Sequence, residues 1–164
     1  MGTHTNRDLE LFYRDIEIYP YIHTRLGDKL AAISILYLAK SLNDEMTIGF
    51  IPVKDGVTNP YFELYPINGI SSENRLINRN SELISLIDRL LSLIEHSLEE
   101  LGEPKSRLHI YVCLIALIHM VTKSIEGNIV ELLETKNWLT NEGLAKIKNA
   151  IKIYKRILIT IGRK

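Results

Sequence analysis

The sequence predicts a mainly α-helical protein, a bundle of four to six helices with a small peripheral β-hairpin or sheet near residues 16–67. Three stretches of the chain lead to this prediction. Residues 110–118 carry no charged or amide side chain, and residues 83–101 and 144–161 repeat apolar side chains at intervals of three and four. Helices pack through such stripes, and a helix that is apolar on every side lies at the centre of a bundle.

The 164-residue chain fits a single domain, with a helix and a small β lobe in residues 1–70 and the bundle core in residues 71–164. It is 46% hydrophobic, which excludes a disordered chain. Its one cysteine, Cys113, excludes an internal disulfide, and the polar N-terminus does not resemble a signal peptide. We therefore expect a cytoplasmic protein, and the absence of glutamine indicates a thermophilic source.

The first predicted elements are a short strand and a helix. Side chains in residues 16–22 alternate in character as they do in a β-strand. Pro20 confines that strand to a sheet edge, because proline has no N–H for the hydrogen-bond ladder. Thr24 is expected to cap a helix over residues 25–42, which ends at Asn43 and Asp44.

A hairpin is predicted next. Residues 47–53 and 61–67 are rich in β-branched and aromatic side chains and lie on either side of the turn signal Asp55-Gly56. Three prolines in or beside these strands remove ladder donors, so the hairpin is expected at the periphery, packed on helices or paired with residues 16–22.

From residue 71 onward the sequence predicts helices. Ser71 or Ser72 caps a helix that bends at residues 78–80, and Ser81 caps a firmer segment that Gly102 and Pro104 end. The apolar stripe of this segment is Leu83, Ile87, Leu90, Ile94, Leu98 and Leu101. Its opposite face is Glu82, Ser85, Arg89, Ser92, His96 and Glu100.

Residues 106–124 are predicted to be the central helix of the bundle. The apolar run between His109 and His119 is shorter than the roughly 20 residues that a membrane span needs, so we expect no membrane span. A short helix over residues 128–136 follows, and Thr140 or Asn141 caps a last helix that reaches Ile161.

The last helix concentrates the positive charge of the protein. Residues 143–164 carry seven basic side chains and no acid, whereas residues 1–142 have a net charge of −7. Five of the basic side chains share one arc, which also contains Ile159: Lys148, Lys152, Lys155, Arg156 and Arg163. The apolar stripe that docks the helix is predicted to be Leu144, Ile147, Ile151, Tyr154, Leu158 and Ile161.

The basic arc predicts a contact with a polyanion. We expect a non-catalytic nucleic-acid-binding or assembly subunit that holds the phosphate backbone, DNA or RNA, through these five side chains. The alternatives are an anionic membrane surface, an acidic partner protein, or ion pairs within the molecule. The candidate carboxylates for such ion pairs are Glu95, Glu99, Glu100, Glu103, Glu126, Glu131 and Glu134.

Two further features bear on partners. Five tyrosines near the predicted strands either stack unpaired bases or seal the hairpin against the helices. They are Tyr13, Tyr19, Tyr21, Tyr61 and Tyr65. The apolar stripe of residues 83–101 also offers a partner face, so a homo-oligomer, a subunit of a larger complex or a purely structural oligomer is expected.

Arg89 and His96 are separated by six residues on the polar face of one predicted helix. This spacing resembles the R-x(4–6)-H motif of HEPN-type ribonucleases, which are helical and act as dimers. The resemblance covers eight residues and implies that His96 acts as general acid and base while Arg89 stabilises the scissile phosphate, without metal. The sequence departs from the usual motif in one place, because Leu90 stands where a polar residue commonly follows the arginine.

The sequence contains no motif for a cofactor or a metal. It has no phosphate-binding glycine loop, no CxxC pair, and no histidines three or four residues apart. Cys113 lies inside the apolar run, where it is expected to be a buried small hydrophobe. We therefore expect neither a cofactor nor a bound metal.

Overall fold

The computed structural model describes residues 18–43, 49–60, 81–124 and 128–161. They form a helical bundle with one small antiparallel hairpin, which confirms the predicted fold class. In chain order the elements are α1 (18–26), α2 (Lys29–Leu42), β1 (Ile51–Val53), β2 (Gly56–Thr58), α3 (Ser81–Glu100), a 3-10 turn (Lys105–Arg107), α4 (Leu108–Ser124), α5 (Ile129–Thr135) and α6 (Asn141–Thr160).

The predicted strand at residues 16–22 is wrong, because residues 18–26 are helical. Ile18 and Ile22, both fully buried, are four residues apart. That spacing puts two side chains on one face of a strand and equally on one face of a helix, so the apolar pattern does not distinguish the two. Tyr21 donates a hydrogen bond to Asp88 of α3 at 2.8 Å, which ties α1 to the bundle.

The start of α2 also differs from the prediction. Thr24 does not cap it; its hydroxyl donates to the carbonyl of Pro20 within α1 at 2.8 Å. Gly27 takes a positive φ of 69° and separates the two helices, and Asp28 caps α2 by accepting from the backbone N–H of Ala31. The helix ends at Asn43, as predicted.

The hairpin is tighter than predicted. Its second strand is Gly56–Thr58, which pairs directly with Ile51–Val53 across the two-residue turn of Lys54 and Asp55. The expected strand at residues 61–67 lies outside the described residues, as do the expected cap at Ser71 or Ser72 and the bend at residues 78–80. The hairpin packs on α2 and α4, and the hydroxyl of Ser34 bonds both the N–H and the carbonyl of Val57 at 3.1 Å.

Helix α4 is the centre of the bundle, as predicted. Residues 111–119 are buried, and α4 contacts α2, α3, α5, α6 and the hairpin. By length and composition alone, residues 105–123 could cross a membrane, but most of this segment is buried between neighbouring helices. A core helix of this kind fulfils the same criteria as a membrane span.

Helix α3 matches its predicted faces except at Leu101, which was expected on the apolar stripe but lies beyond the last helical residue, Glu100. Ile87, Leu90, Ile94 and Leu98 are fully buried, and the predicted polar face from Glu82 to Glu100 is exposed. Leu83 is half-buried, and Leu101, just after the helix, is 36% exposed. Gly102, with a φ of 77°, ends the helix as predicted.

The turn of the hairpin is attached to the start of α6. The Asp55 carboxylate accepts the backbone N–H of Thr140 at 2.9 Å, and the Asp55 N–H donates to the carbonyl of Trp138. Thr140 in turn caps α6, as predicted, by accepting from the N–H of Gly143. A Cβ at Gly143 would lie 2.5 Å from the Asp55 carboxylate, so only glycine fits there while that contact is made.

Gly143→Ala is therefore expected to destabilise the protein by about 1–3 kcal/mol, the usual cost of overpacking. The clash outweighs the gain in helix propensity, which is at most about 1 kcal/mol. Urea denaturation measures the effect, and Asp55→Ala provides the matched background. The Gly143→Ala penalty should shrink in that background, whereas an equal penalty in both backgrounds would contradict the steric explanation.

Candidate nucleic-acid interface

The inner face of α6 fixes the direction in which its charged side chains point. Ile147, Ala150, Ile153 and Ile157 are buried with Tyr154 against the neighbouring helices. The predicted docking stripe is thus only partly correct. Its members Ile147 and Tyr154 are buried, but Leu144, Ile151, Leu158 and Ile161 are only half-buried. The buried face is wider and displaced from the predicted stripe because α6 packs on α3 and α5 as well as on α4.

Lys148, Lys152 and Lys155 point outward. All three are exposed, and no ion pair joins them to a carboxylate in the described part of the chain. Their spacing of four and three residues puts them in one row, about 10 Å long at the helical rise of 1.5 Å per residue. We call these three residues the lysine row. Ile159 continues the row by one turn and is 83% exposed.

Arg156 differs from the other described residues of the basic arc, because it has an ion-pair partner within the molecule. Its guanidinium lies 2.8 Å from the Glu100 carboxylate and donates to the Ser97 hydroxyl at 3.0 Å, both on α3. Arg156 pairs with Glu100 because α6 crosses the acidic end of α3, a tertiary relation that a helical projection does not contain. Arg163, the fifth predicted residue, lies outside the described residues.

The other predicted acidic partners leave the lysine row free. Within the described residues, Glu100 is the only one of these carboxylates that forms an ion pair with α6. Glu99 lies 4.0 Å from Lys105, and Glu126 lies outside the described residues. The hypothesis of ion pairs within the molecule therefore describes Arg156, but not the lysine row.

Arg89 and His96 are both exposed on α3, as predicted. His96 lies 2.9 Å from the Glu100 carboxylate, so the imidazole, the Glu100 carboxylate and the Arg156 guanidinium form a chain of contacts on the surface. The ribonuclease hypothesis stays a prediction. Cleavage of labelled RNA by the wild type but not by His96→Ala would support it, and equal cleavage or none would reject it.

Two of the five tyrosines near the predicted strands, Tyr19 and Tyr21, lie within the described residues, and both are half-buried. Tyr19 stacks on His23 with ring centroids 5.5 Å apart, and Tyr21 bonds Asp88. Both pack against the core. Both tyrosines lie on helix α1 and not on a strand, so base stacking and sealing of the hairpin both stay predictions; Tyr13, Tyr61 and Tyr65 lie outside the described residues.

A buried hydrogen-bond network is the main feature that sequence analysis missed. The ring of His119 bonds the Ser41 hydroxyl at 2.7 Å through Nε2 and the Tyr154 hydroxyl at 2.8 Å through Nδ1. Lys123 donates to the same Ser41 hydroxyl at 3.1 Å. The network joins α2, α4 and α6, and no local sequence signal reveals it because the two residues of each hydrogen bond are 35 to 82 positions apart.

Burial changes the titration of these groups. It lowers the pKa of His119 to about 4, with a smaller contribution from the nearby Lys123 ammonium, so the imidazole is neutral at pH 7. Burial also raises the pKa of Tyr154 to about 12 and that of the Cys113 thiol to about 12. Cys113 is accordingly the inert, buried side chain that the sequence predicts.

A pocket of about 170 Å³ lies where the hairpin turn meets the starts of α4 and α6. Its acidic side chains already have structural partners. Asp28 and Asp55 accept backbone N–H groups, and Glu142 pairs with Arg107 at 2.8 Å. Across the described ranges, no group of three or more His, Cys, Asp or Glu side chains could hold a metal ion.

The lysine row is thus the largest set of exposed like charges on α6 without an internal partner in the described residues. Its position depends on the buried face of α6 and on the cap at Thr140. Comparison of the chain with protein-family models, with curated proteins and with solved structures finds no match.

Proposed function

We propose that the protein is a non-catalytic nucleic-acid-binding subunit that holds the phosphate backbone along the outer face of α6. The observation that supports this most strongly is the lysine row. An exposed ammonium without a carboxylate partner keeps its full attraction for an external anion, whereas a paired one must first give up its partner. Three such groups in one row suit a ligand that carries its negative charges in a row as well.

The composition of this face favours contacts with phosphates over contacts with bases. Its centre is formed by Ala145, the lysine row and Ile159. Base edges are read by arginine or lysine and by asparagine or glutamine, whereas phosphates are contacted above all by arginine and lysine. The one asparagine in this part of α6, Asn149, is half-buried and its amide lies 3.4 Å from the Tyr111 hydroxyl. The protein is therefore expected to bind with little sequence preference.

The charge of the remaining chain supports binding through one side only. Residues 1–142 have a net charge of −7, so the body of the protein is repelled by a polyanion while the last helix is attracted. When α6 faces the nucleic acid, the negatively charged body of the protein lies away from the negatively charged phosphates.

Fluorescence anisotropy with labelled oligonucleotides tests the proposal. We expect the wild type to bind two duplexes of unrelated sequence equally, and the logarithm of the binding constant to fall linearly with the logarithm of salt concentration. Single-stranded DNA and RNA of the same length show which form is preferred. Salt-independent binding, or no binding at low salt, would contradict the proposal. If no binding is found, light scattering at several salt concentrations would measure the oligomeric state and so test the alternative of a purely structural oligomer.

A further inference from the structure

The contact between Arg156 and Glu100 lies beside the lysine row. Arg156 follows Lys152 by four residues and Lys155 by one, so its guanidinium lies on the flank of the row that faces α3. Both partners are partly exposed, Arg156 at 43% and Glu100 at 46%. An ion pair between two such side chains is weak, because water screens it on the open side.

The guanidinium is held in place by more than this carboxylate. The hydroxyl of Ser97 accepts from the same Nη1 nitrogen at 3.0 Å, and Ser97 is only 2% exposed. Because Ser97 is fixed in the interface between α3 and α6, Arg156 stays anchored even when Glu100 moves away. An arginine that is already ordered loses less side-chain entropy when it binds an anion.

We propose that Arg156 is a phosphate-binding subsite of the α6 face that the Glu100 carboxylate occupies in the free protein. Carboxylates and phosphates bind the same guanidinium fork, so a backbone phosphate can replace Glu100 without other changes in the site. The inference rests on the proposed function. Arg156 adds a fourth cationic contact to the lysine row, and the Glu100 carboxylate competes with phosphate for it, which weakens the binding of phosphate at Arg156.

Glu100 has an alternative partner when it leaves Arg156. His96 lies one turn earlier on α3, with its Nε2 at 2.9 Å from the other oxygen of the Glu100 carboxylate. Arg156 and His96 together lower the pKa of Glu100, Arg156 being the larger cause, so the competitor is ionised at neutral pH. Because one oxygen of Glu100 already contacts His96, the carboxylate can stay on α3 while phosphate takes its place at Arg156.

The test compares two neighbouring glutamates of α3 by fluorescence anisotropy on a labelled duplex. Glu100→Gln is expected to raise affinity about threefold to tenfold at low salt, because the phosphate no longer competes with a carboxylate for Arg156. The salt slope should stay the same, since the number of phosphate contacts is equal in the two complexes. Glu99→Gln is the matched control, since it removes the same charge from an exposed residue whose nearest described cation, Lys105, lies on the 3-10 turn at 4.0 Å. It should change affinity less than twofold and leave the slope unaltered.

A double variant ties the effect to Arg156. In an Arg156→Gln background, Glu100→Gln should no longer raise affinity. An equal gain from Glu99→Gln and Glu100→Gln, or a gain that persists without Arg156, would overturn the inference while leaving the proposed function intact. Absence of binding by the wild type and by Glu100→Gln would overturn both.

Discussion

Reversing the lysine row with Lys148→Glu, Lys152→Glu and Lys155→Glu together is expected to abolish most nucleic-acid binding. A lysine near a densely charged anionic surface contributes about 1 kcal/mol, so losing three contacts lowers affinity about 100-fold, and repulsion by the new carboxylates adds to this loss. Fluorescence anisotropy at low salt measures the effect. The fold should survive, because all three side chains are exposed and surface changes usually alter stability by less than about 0.5 kcal/mol each.

The matched control reverses three exposed lysines on other elements, with Lys54→Glu, Lys105→Glu and Lys136→Glu. This triple variant has the same net charge as the first but keeps the outer face of α6. It should lose far less affinity, since only the general attraction of the molecule changes. Equal losses in the two triple variants would show that net charge, and not the face of α6, controls binding.

The second large effect is a loss of stability in acid that depends on His119. In the unfolded chain this histidine has its ordinary pKa of about 6.5, whereas burial lowers the native pKa to about 4. Between these two values the unfolded state binds a proton that the native state does not, so the free energy of unfolding falls as the pH falls. The slope approaches 1.4 kcal/mol per pH unit, and the total loss between pH 6.5 and pH 4 is about 3 kcal/mol.

Urea denaturation of the wild type and of His119→Gln at several pH values measures this loss. Glutamine can still bond Ser41 and Tyr154 but does not titrate, so its curve should be flatter between pH 6.5 and pH 4. His109→Gln, near the other end of α4, is the control and should keep the wild-type slope. Parallel curves for the wild type and His119→Gln would show that His119 does not control acid stability.

The sequence predicted those parts of the fold that depend on local pattern. The short helix α5, the capped start of α6, the end of α3 before Gly102 and the central position of α4 all follow from caps, breakers and apolar runs within about ten residues. The strand at residues 16–22 was wrong because Ile18 and Ile22 fit both periods. The cap predicted at Thr24 was wrong, because Gly27 separates α1 from α2 and Asp28 caps α2.

The candidate site was predictable only as far as one helix determines it. The lysine row follows from the sequence of α6 alone, since a period of 3.6 residues places all three side chains on the outer face. The pairing of Arg156 with Glu100, 56 residues away along the chain, and the contact of His119 with Ser41 and Tyr154 depend on which helices are neighbours. Such contacts have no local signal, because they arise when separate elements pack together.

Contact between the lysine row and phosphates should be visible in the salt dependence of duplex binding. The measurement compares the wild type with a variant that carries Lys148→Gln, Lys152→Gln and Lys155→Gln. If each lysine releases counterions from one phosphate, the slope of the logarithm of the binding constant should be less steep by about 2.7 in the variant. Identical slopes in the two proteins would show that these lysines do not touch the backbone.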